Sequence, residues 1–393
     1  MALSVKELSE SGIKAFVDFQ YDLYRNDPYW VGDLKSNACT LLTPGKNPFW
    51  QHAERKLFMA YRDGKPVARV AAIINDEHNR YHDDKVGFFG FFETASDKEA
   101  SHAVLAAAAA WLKDRGMESM RGPMNPSTND SCGLLISGFD SFPKIMMPYN
   151  PTYYGAILEE FGLEKAKDLL AYIRFSETEV SERLKKIIAR IETRKDWRMR
   201  ELHIGALEHE LEIVREIYND AWSENWGFVP ITPPEMAQAA KELKPILTPD
   251  CGHIIEVDNQ PVAFSVIVPD VNMALRKINP DLNVFNAAYN IIKLLVEIKK
   301  IRQGRLMLLG VRKDFRMRGF DLVLIKKVIE TCRKKEWLHG ELSWILEDNQ
   351  KIISVIEECG GRVYKKYRVY EKPLIEIPKS PVEVPMIQPR PSF

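Results

Sequence analysis

Short motifs from the first half of the chain recur 195 to 198 residues later, and this repeat constrains the fold more than any other feature. The recurring residues are Asp63, Pro66, Val67 and Ala68 with Asp258, Pro261, Val262 and Ala263; Glu159, Glu160 and Gly162 with Glu357, Glu358 and Gly360; and Asp22 and Val31 with Asp220 and Val229. Three matches in one order predict a duplicated domain. The length of 393 residues also fits two domains.

We therefore expect four segments along the chain. A first unit spans residues 1–175, a charged linking helix spans 176–200, and a second unit spans 201–374. Five prolines within 375–393 predict an extended tail.

Composition is that of a globular protein, with 45% hydrophobic and 28% charged residues. The cysteines form no close pair, and the N-terminus has no basic segment followed by an apolar one, which predicts a cytoplasmic protein without disulfides or a zinc site. The longest apolar run, 103–112, is too short to span a bilayer. We expect at most peripheral contact with the inner face of a membrane.

One stretch, 305–329, reads as a buried strand, a basic turn and a helix. Residues 306–311 are apolar, and from Asp321 onward apolar residues recur at intervals of three and four, as on a helix with one buried face. The turn between them, closed by Gly319, carries Arg312, Lys313, Arg316 and Arg318. Cations are locally unfavourable before a helix, because that end carries partial positive charge. The turn therefore predicts an anion-binding site.

Charge is uneven along the chain although the formal net charge is zero. Residues 292–335 contain fourteen Lys or Arg and four Asp or Glu, a balance of plus ten. Nucleic acid is not the expected partner, because the basic run lacks interleaved aromatic residues and the whole chain is neutral. A phosphate-bearing ligand and an anionic membrane surface fit this segment better.

Local patterns predict further elements. The segment 1–37 has a helical pattern, and the strands 56–60 and 67–74 flank a hairpin turn at 63–66. Ser96 and Glu99 form a capping-box pattern before an alanine-rich helix. A helix at 287–301 carries apolar residues on one face; it either packs into the core or forms an amphipathic cover over an acyl or lipid site.

The order hairpin, strand, basic glycine loop, helix, strand, Asn-led helix, glycine and strand over 252–373 resembles the acyl-CoA N-acyltransferase (GNAT) superfamily. The pyrophosphate loop of that family, Gln/Arg-x-x-Gly-x-Gly/Ala, aligns with Arg316, Met317, Arg318, Gly319, Phe320 and Asp321. Asn349 matches the family's distal Asn. The resemblance implies an α/β fold of the mixed-sheet, α+β kind, built from tandem GNAT-like domains.

Only the second copy has the donor loop. The equivalent segment of the first copy, 93–96, contains no glycine and begins with Glu93. We therefore expect the first copy to shape the pocket of the acceptor. In the second copy, Asp321 replaces a small residue of the family pattern; it is a good helix N-cap. If it faces the donor it disfavours a pyrophosphate, which favours the phosphopantetheine of an acyl carrier protein over acyl-CoA.

Longer segments resemble one branch of this superfamily, the proteins grouped with the bacterial ceramide synthases. They are NDPYWV, NPFWQHAE, GFFGFFE, RGPMNPSTNDSCG and the segment from EDNQ to YRVYEKP, and they span residues 23–373. The resemblance implies transfer of a fatty acyl group from a thioester to the amine of a sphingoid base or another long-chain amine. A non-catalytic acyl-CoA- or lipid-binding protein that docks on membranes is the alternative.

A thioester is already activated, so the chemistry requires positioning, proton removal and oxyanion stabilisation, and no metal. The resemblance implies that a backbone N–H between Leu309 and Val311 polarises the thioester carbonyl. Candidate proton acceptors are Asp270, with Asn272 beside it, and Glu224. Loss of the amine proton through water is the alternative to these carboxylates. Tyr364 and Tyr367 stand where the family often has a tyrosine that protonates the leaving thiolate.

Two segments are candidates for binding the acceptor. The loop RGPMNPSTNDSCG, residues 121–133, contains Asn125, Asn129 and Asp130. The segment SENWGFVP contributes Asn225 and Trp226. If the two copies face each other, the 121–133 loop reaches the amine and hydroxyl of an acceptor; an ordinary turn rich in Pro and Asn is the structural alternative.

Overall fold

Apolar strands and amphipathic helices alternate along the chain in the computed structural model, which describes residues 2–375. The strands are β1 (Leu3–Leu8), β2 (Ala53–Arg62), β3 (Lys65–Asn75), β4 (Val86–Thr94), β5 (Ser119–Gly122), β6 (Met124–Asn125), β7 (Ser131–Cys132), β8 (Leu134–Ser137), β9 (Glu164–Phe175), β10 (Arg198–Glu201), β11 (Gly252–Val257), β12 (Gln260–Pro269), β13 (Gln303–Val311), β14 (His339–Leu346) and β15 (Arg362–Pro373). The predicted Pro-rich tail, apart from its first residue, lies outside the described residues.

The helices connect these strands. They are α1 (Ile13–Leu23), α2 (Lys35–Leu42), α3 (Asp76–His82), α4 (Lys98–Asp114), α5 (Tyr154–Glu160), α6 (Glu182–Glu192), α7 (Leu207–Ala221), α8 (Pro233–Leu243), α9 (Asn272–Leu275), α10 (Ala287–Ile298), α11 (Phe320–Lys334) and α12 (Gln350–Glu358). The charged helix expected between the two copies is α6.

Thirteen strands form one continuous mixed sheet in the order β1-β2-β3-β4-β5-β15-β9-β14-β13-β12-β11-β10, with β8 paired to β15. The pairs β4–β5 and β13–β14 are parallel, and the other pairs are antiparallel. The strands β6 and β7 form a separate ribbon inside the 121–133 loop. The predicted mixed α/β fold is confirmed.

The two halves of the chain repeat one element order. A hairpin, a third strand, a long helix and a parallel strand follow one another as β2-β3-β4-α4-β5 in the N-terminal half and β11-β12-β13-α11-β14 in the C-terminal half. The last strand of each half is exchanged, because β15 pairs with β5 and β9 pairs with β14. The exact unit boundaries at residues 175 and 201 stay a prediction.

Helices cover both faces of the sheet, and each buries an apolar stripe. In the C-terminal half, Phe320 and Leu324 of α11 are fully buried against Ile255 and Val262 of the sheet. On the opposite face, α7 packs through Val214 and other apolar residues. Burial of a side chain as large as Phe contributes roughly 1.5–3 kcal/mol, so these contacts fix α11 against β11 and β12.

Two local predictions were wrong. The N-terminal segment begins with β1, which pairs antiparallel with β2, before the first helix starts. The cap of α4 is Asp97, whose side chain accepts a hydrogen bond from the N–H of Ala100 at 3.0 Å. Ser96 is excluded from this role because its φ of +60° belongs to the preceding turn. Asp97 is also fixed by an ion pair with Arg62 at 2.6 Å.

The helix predicted at 287–301 exists as α10, but it does not pack its apolar face into the core. Ile292 and Leu295 are 64% and 52% exposed, and Asn290 is the helix residue that is buried. The core-packing interpretation is therefore wrong.

The central strand β15 contains a buried hydroxyl that generates a prediction. Tyr367 is fully buried, and its hydroxyl has no hydrogen-bond partner among residues 2–375. An unpaired buried polar group costs roughly 1–3 kcal/mol, so we expect Tyr367→Phe to raise the free energy of unfolding by about 1 kcal/mol. Urea denaturation measures this change.

Tyr154→Phe is the matched control. Tyr154 is equally buried, but its hydroxyl donates to Glu93 at 2.7 Å and accepts from the N–H of Thr94 at 2.8 Å. We expect this variant to lower the free energy of unfolding by about 1–3 kcal/mol. A loss of stability in Tyr367→Phe of the same size contradicts the prediction.

Candidate active site

The strands β13 and β14 diverge part-way along their length. They pair in parallel from Gln303 to Leu306, after which β13 continues beside β12 as far as Val311 and β14 continues beside β9. A register shift marks a bulge at Met307. Within the described residues, the edge of β13 from 307 to 311 therefore faces a groove without a strand partner. Its unpaired N–H groups can donate to a carbonyl oxygen.

The anion loop, residues 312–319, leads from this edge into α11. Gly319 is the N-cap residue with a φ of +79°, and no side chain caps the first turn of α11. Gly319 has no side chain to cap this end, and the carboxyl of Asp321 accepts from N–H groups of the first turn, those of Leu322 and of Asp321 itself. A Cβ atom on Gly319 would lie 2.3 Å from Cδ1 of Ile191 in α6, so this close approach requires glycine.

The cations of the anion loop already hold partners. Arg316 donates to the carbonyl of Ala221 at 2.6 Å and forms an ion pair with Glu224 at 3.4 Å, and Lys313 forms an ion pair with Glu224 at 3.2 Å. The guanidinium of Arg318 stacks on Phe315, 4.8 Å from its ring centroid. These contacts hold three cations around the loop.

Glu224 lies beside the anion loop and is largely exposed. Its hydrogen bond and ion pair with Lys313, followed by those with Arg316, hold its pKa below the usual range. A carboxylate with a lowered pKa is a weaker base at neutral pH. Its role as proton acceptor stays a prediction, and its observed contacts are those of a counter-ion.

Asp321 lies inside the first turn of α11 and forms no side-chain cap, so the predicted N-cap role is wrong. Burial raises the pKa of its carboxyl, and hydrogen bonds from backbone N–H groups oppose that increase. The side chain of Phe320 is buried in the core, so only its backbone faces the loop. Asn349 caps α12 by accepting from the N–H of Ile352 at 3.4 Å. It lies at the same edge of the sheet as the anion loop.

A narrow apolar cavity of about 30 Å³ lies between α11 and α12, over β14. The helix residues that line it are Ile325, Val328, Ile329, Cys332 and Ile356. Arg174, Ser176 and Glu341 also line it. Its volume is that of roughly one water molecule, which is far smaller than a ligand pocket.

The structure separates Asp270 and Asn272 from the anion loop. Asp270 follows β12 opposite the start of β13, roughly 23 Å from Val311 at about 3.3 Å per strand residue. It is fully buried, accepts from the N–H of Ile145 at 2.9 Å, and lies 3.5 Å from the ammonium of Lys144. Burial nevertheless raises the pKa of Asp270.

Asn272 donates to the carbonyl of Pro143 at 2.9 Å. Asp270 and Asn272 thus both hold the segment 143–145 against the end of β12. Their catalytic roles stay predictions, which would require that this segment move to admit a substrate.

A buried polar cluster between the halves was not identified from the sequence. Arg305 donates to Ser343 at 3.0 Å, and Ser343 donates to Glu341 at 2.7 Å. Glu341 also accepts from the hydroxyl of Tyr364, whose pKa is raised mainly by burial. The signal in the sequence is a single charge inside each of two otherwise apolar strands. This cluster fixes the hydroxyl of Tyr364, whose predicted role as proton donor remains open.

The 121–133 loop contacts the C-terminal half. Asn129 accepts from the hydroxyl of Tyr218 at 2.7 Å and donates to the carbonyl of Val229 at 3.1 Å. Asn125 faces the N-terminal half instead, where it accepts from the N–H of Phe91 at 2.6 Å. The structure therefore brings the predicted acceptor loop to α7, with Asn129 as the contact.

Aromatic side chains connect this loop to the groove at β13. The rings of Tyr218 and Trp222 lie 4.4 Å apart, and the indole N–H of Trp222 donates to the carbonyl of Leu309 at 3.3 Å. The path from Asn129 through Tyr218 and Trp222 thus ends at the strand edge expected to bind the thioester. The 121–133 loop belongs to the N-terminal half of the chain, and the edge of β13 belongs to the C-terminal half.

Asp130, next to Asn129, is a carboxyl group whose pKa lies well above its usual value. It accepts from the hydroxyl of Ser127 at 2.7 Å, and burial raises its pKa to about 7. A carboxylate whose pKa lies near neutral pH is suited to proton transfer.

Trp226 and Asn225 lie on the segment that follows α7. The guanidinium of Arg121 lies 5.3 Å from the centroid of Trp226 and the ammonium of Lys167 lies 5.9 Å from it, so the indole packs at the boundary between the halves. The N–H of Asn225 donates to the carbonyl of Trp222 at 2.8 Å.

Comparison with known proteins places the chain in a family. No family model matches it. It is 34% identical over 370 residues to protein YghO of Escherichia coli K12, covering 93% of this chain and 94% of that protein. It is also 34% identical over 367 residues to the bacterial ceramide synthase of Caulobacter vibrioides, covering 92% and 95%. The chain belongs to the family that contains these two proteins.

Solved structures support the fold. A tandem GNAT protein from the clavulanic acid biosynthesis pathway superposes with a TM-score of 0.56 at 10% identity, covering 95% of this chain and 99% of that one. A GCN5-related N-acetyltransferase from Sphaerobacter thermophilus gives 0.50 at 11% identity, covering 95% and 96%. The predicted tandem GNAT architecture and the resemblance to the ceramide synthase branch are confirmed.

Among residues 2–375, no three His, Cys, Asp or Glu side chains are placed to hold a metal ion. In the same part of the chain, no helix combines the length and the apolar character needed to cross a bilayer.

Gly319→Ala tests the anion loop. The variant forces a φ of +79° on a residue with a Cβ and brings that atom against Ile191, so the loop must shift. We expect the dissociation constant for CoA, measured by calorimetric titration, to rise at least tenfold.

Gly45→Ala is the matched control, because Gly45 has a φ of +80° and open space around it. Both variants carry a backbone cost of roughly 1 kcal/mol, and only the loop variant should lose affinity. Unchanged CoA binding by Gly319→Ala would show that this loop is not the donor site.

Proposed function

We propose that this protein transfers an acyl group from a thioester to a primary amine. The observation that carries the proposal is the unpaired edge of β13, residues 307–311, directly before the uncapped N-terminus of α11. One element can then bind the phosphate of a donor while the preceding strand binds its carbonyl.

The residues around the groove fit a phosphopantetheine donor. The N-terminus of α11 and the nearby Lys313, Arg316 and Arg318 favour an anion. Acyl-CoA is the donor expected from the fold. Asp321 lies in the first turn of α11, and both acyl-CoA and an acyl carrier protein stay within the proposal.

In the proposed reaction, a neutral amine attacks the thioester carbonyl, and a C–N bond replaces the C–S bond. N–H groups of β13 stabilise the oxyanion, with Leu309 and Val311 in the strand segment concerned. Asp130 accepts a proton from the attacking amine, and Asn129 orients the acceptor. Tyr364 gives its proton to the leaving thiolate, and water returns to Tyr364 the proton that Asp130 has taken from the amine, so the reaction releases no net proton.

We further propose a long-chain amine, such as a sphingoid base, as the acceptor. The named activity of the Caulobacter relative supports this class, because the two chains are 34% identical over nearly their whole lengths. The indole of Trp226 offers apolar surface at the boundary between the halves, close to the proposed amine site. The cytoplasmic location stays a prediction.

The first test is direct. The protein is incubated with acyl-CoA or acyl carrier protein and a panel of long-chain amines, and free thiol and product mass are measured. We expect thiol release that depends on the amine, with an amide of the summed mass. Donor binding without thiol release would support the non-catalytic alternative, and a clear preference for CoA would remove the carrier-protein hypothesis.

The second test concerns Asp130. Because its pKa is about 7, kcat/KM should rise as pH increases through 7 and the carboxylate forms. Asp130→Asn should lower kcat/KM at least about 100-fold and remove this pH dependence, with CoA affinity unchanged. Asp83→Asn, at an exposed position with a φ of +51° that Asn tolerates, is the control.

The same pKa predicts how stability changes with pH. The folded state keeps the Asp130 proton up to about pH 7, whereas the unfolded chain releases it near pH 4, so the contribution of Asp130 to stability falls as pH rises across this range. Asp130→Asn should flatten the curve between these values. A normal pH profile and full activity in this variant would exclude Asp130 as the base.

A further inference from the structure

The helix α10 presents its apolar face to solvent. Tyr289, Ile292 and Leu295 are 66%, 64% and 52% exposed, and Ile291 and Val296 are each 47% exposed. Their spacing of three and four residues places them on one side of the helix. Within residues 2–375, no other segment covers this side.

Polar side chains occupy the opposite, protein-facing side of α10. Asn290 is 4% exposed; it accepts from the N–H of Asn279 at 3.0 Å and donates to the carbonyl of Asn286 at 3.0 Å. Glu297 forms ion pairs with Lys277 and Lys300, both at 2.6 Å. The helix is therefore held in place by its polar side, which is the reverse of the usual arrangement in a helix on a water-soluble surface.

The turn before α10 extends this surface. Val284 and Phe285 are 94% and 99% exposed, and hydrogen bonds from the N–H groups of Phe285 and Asn286 to the side chain of Asn283 fix the turn. The turn and the exposed side of α10 form one contiguous apolar surface, called here the α10 face (residues 284–296).

Cations surround the α10 face. Residues 287–302 contain Lys293, Lys299, Lys300 and Arg302 against the single carboxylate Glu297, a net charge of plus three. The ammonium of Lys293 lies 5.8 Å from the ring centroid of Tyr289. Aliphatic residues, aromatic residues at the margin and flanking lysines are the composition of helices that lie in the interface of anionic bilayers.

The charge decides between a membrane and a second copy of the chain. A two-fold contact through the α10 face would bring together two copies of the segment 287–302, each with a net charge of plus three, and like charges oppose such a contact. Anionic lipid headgroups carry the complementary charge, and the acyl region accepts the apolar side chains.

We propose that the α10 face docks this protein on the surface of a membrane that contains anionic lipids. The helix lies in the plane of the interface, with Val284, Phe285 and the exposed side of α10 among the acyl chains and the lysines among the headgroups. The proposal does not depend on the acyl-transfer reaction.

Docking in this orientation places one end of the boundary between the halves toward the bilayer. The short helix α9 precedes α10, and Asn272 at its start is hydrogen-bonded to Pro143. Two residues further, the carbonyl of Ile145 accepts from Arg305 of the buried cluster at 2.7 Å. A lipid acceptor could then move from the bilayer toward the site along the 143–145 segment.

Co-sedimentation with vesicles tests the proposal. The full chain is mixed with vesicles of phosphatidylcholine alone or with a quarter of the lipid replaced by phosphatidylglycerol. We expect binding to the anionic vesicles that weakens in high salt, and weak binding to the neutral ones. Ile292→Glu with Leu295→Glu should lower the partition coefficient at least tenfold, because both charges would have to enter the acyl region.

Ile187→Glu is the matched control, since Ile187 is an apolar residue on α6 with 36% exposure. It should leave vesicle binding unchanged, and circular dichroism on heating should show that both variants are folded. Acyl transfer to a water-soluble amine should be equal in all three proteins, which separates a failure of docking from a failure of the reaction.

Three outcomes would overturn the proposal. The wild-type protein does not bind anionic vesicles, the double variant binds as well as the wild type, or light scattering shows a dimer that the double variant disrupts. The last result would assign the α10 face to self-association.

Discussion

The relative placement of the two halves depends on the antiparallel pairing of β9 with β15 at the centre of the sheet. Arg368 and the nearly buried Asp168 form a cross-strand ion pair at 2.8 Å within it. Since β15 also pairs with β5, the strand that leads into the 121–133 loop, this pairing sets the distance from that loop to β13. At about 4.8 Å per strand, four steps separate β5 from β13, roughly 19 Å. The side chains of Tyr218 and Trp222 lie between the 121–133 loop and β13.

Carboxylates of the same chemical type acquire different properties from their surroundings. Glu224 is exposed between two cations, which lower its pKa, and Asp270 is buried beside Lys144 and backbone donors. Asp130 is half-buried with a hydroxyl donor and without a cation nearby, and desolvation raises its pKa to about 7. The environment of each side chain, rather than its position in a motif, is what distinguishes a counter-ion, a structural anchor and a carboxyl group with a raised pKa.

Features with a local cause could be predicted from the sequence. The hairpins, the strand–loop–helix unit around Gly319 and the duplicated architecture follow from periodicity, turn residues and repeated motifs. The pairing of Arg305 with Glu341 could not be predicted, because it depends on the register of β13 against β14. The same limit applies to α10, whose periodicity defines two faces but not which of them contacts the protein. The capping-box pattern points to Ser96 instead of Asp97, because a four-residue pattern does not encode the φ of a turn residue.

The exchange of the last strands has a mechanical consequence. A protein whose halves are joined by a linker alone can open like a hinged clamp, but here each half contains a strand of the other. Opening would separate the nine residue pairs between β9 and β15 and expose their backbone groups. The two halves are therefore held in one frame by backbone pairing, and that frame fixes the separation between the 121–133 loop and the edge of β13.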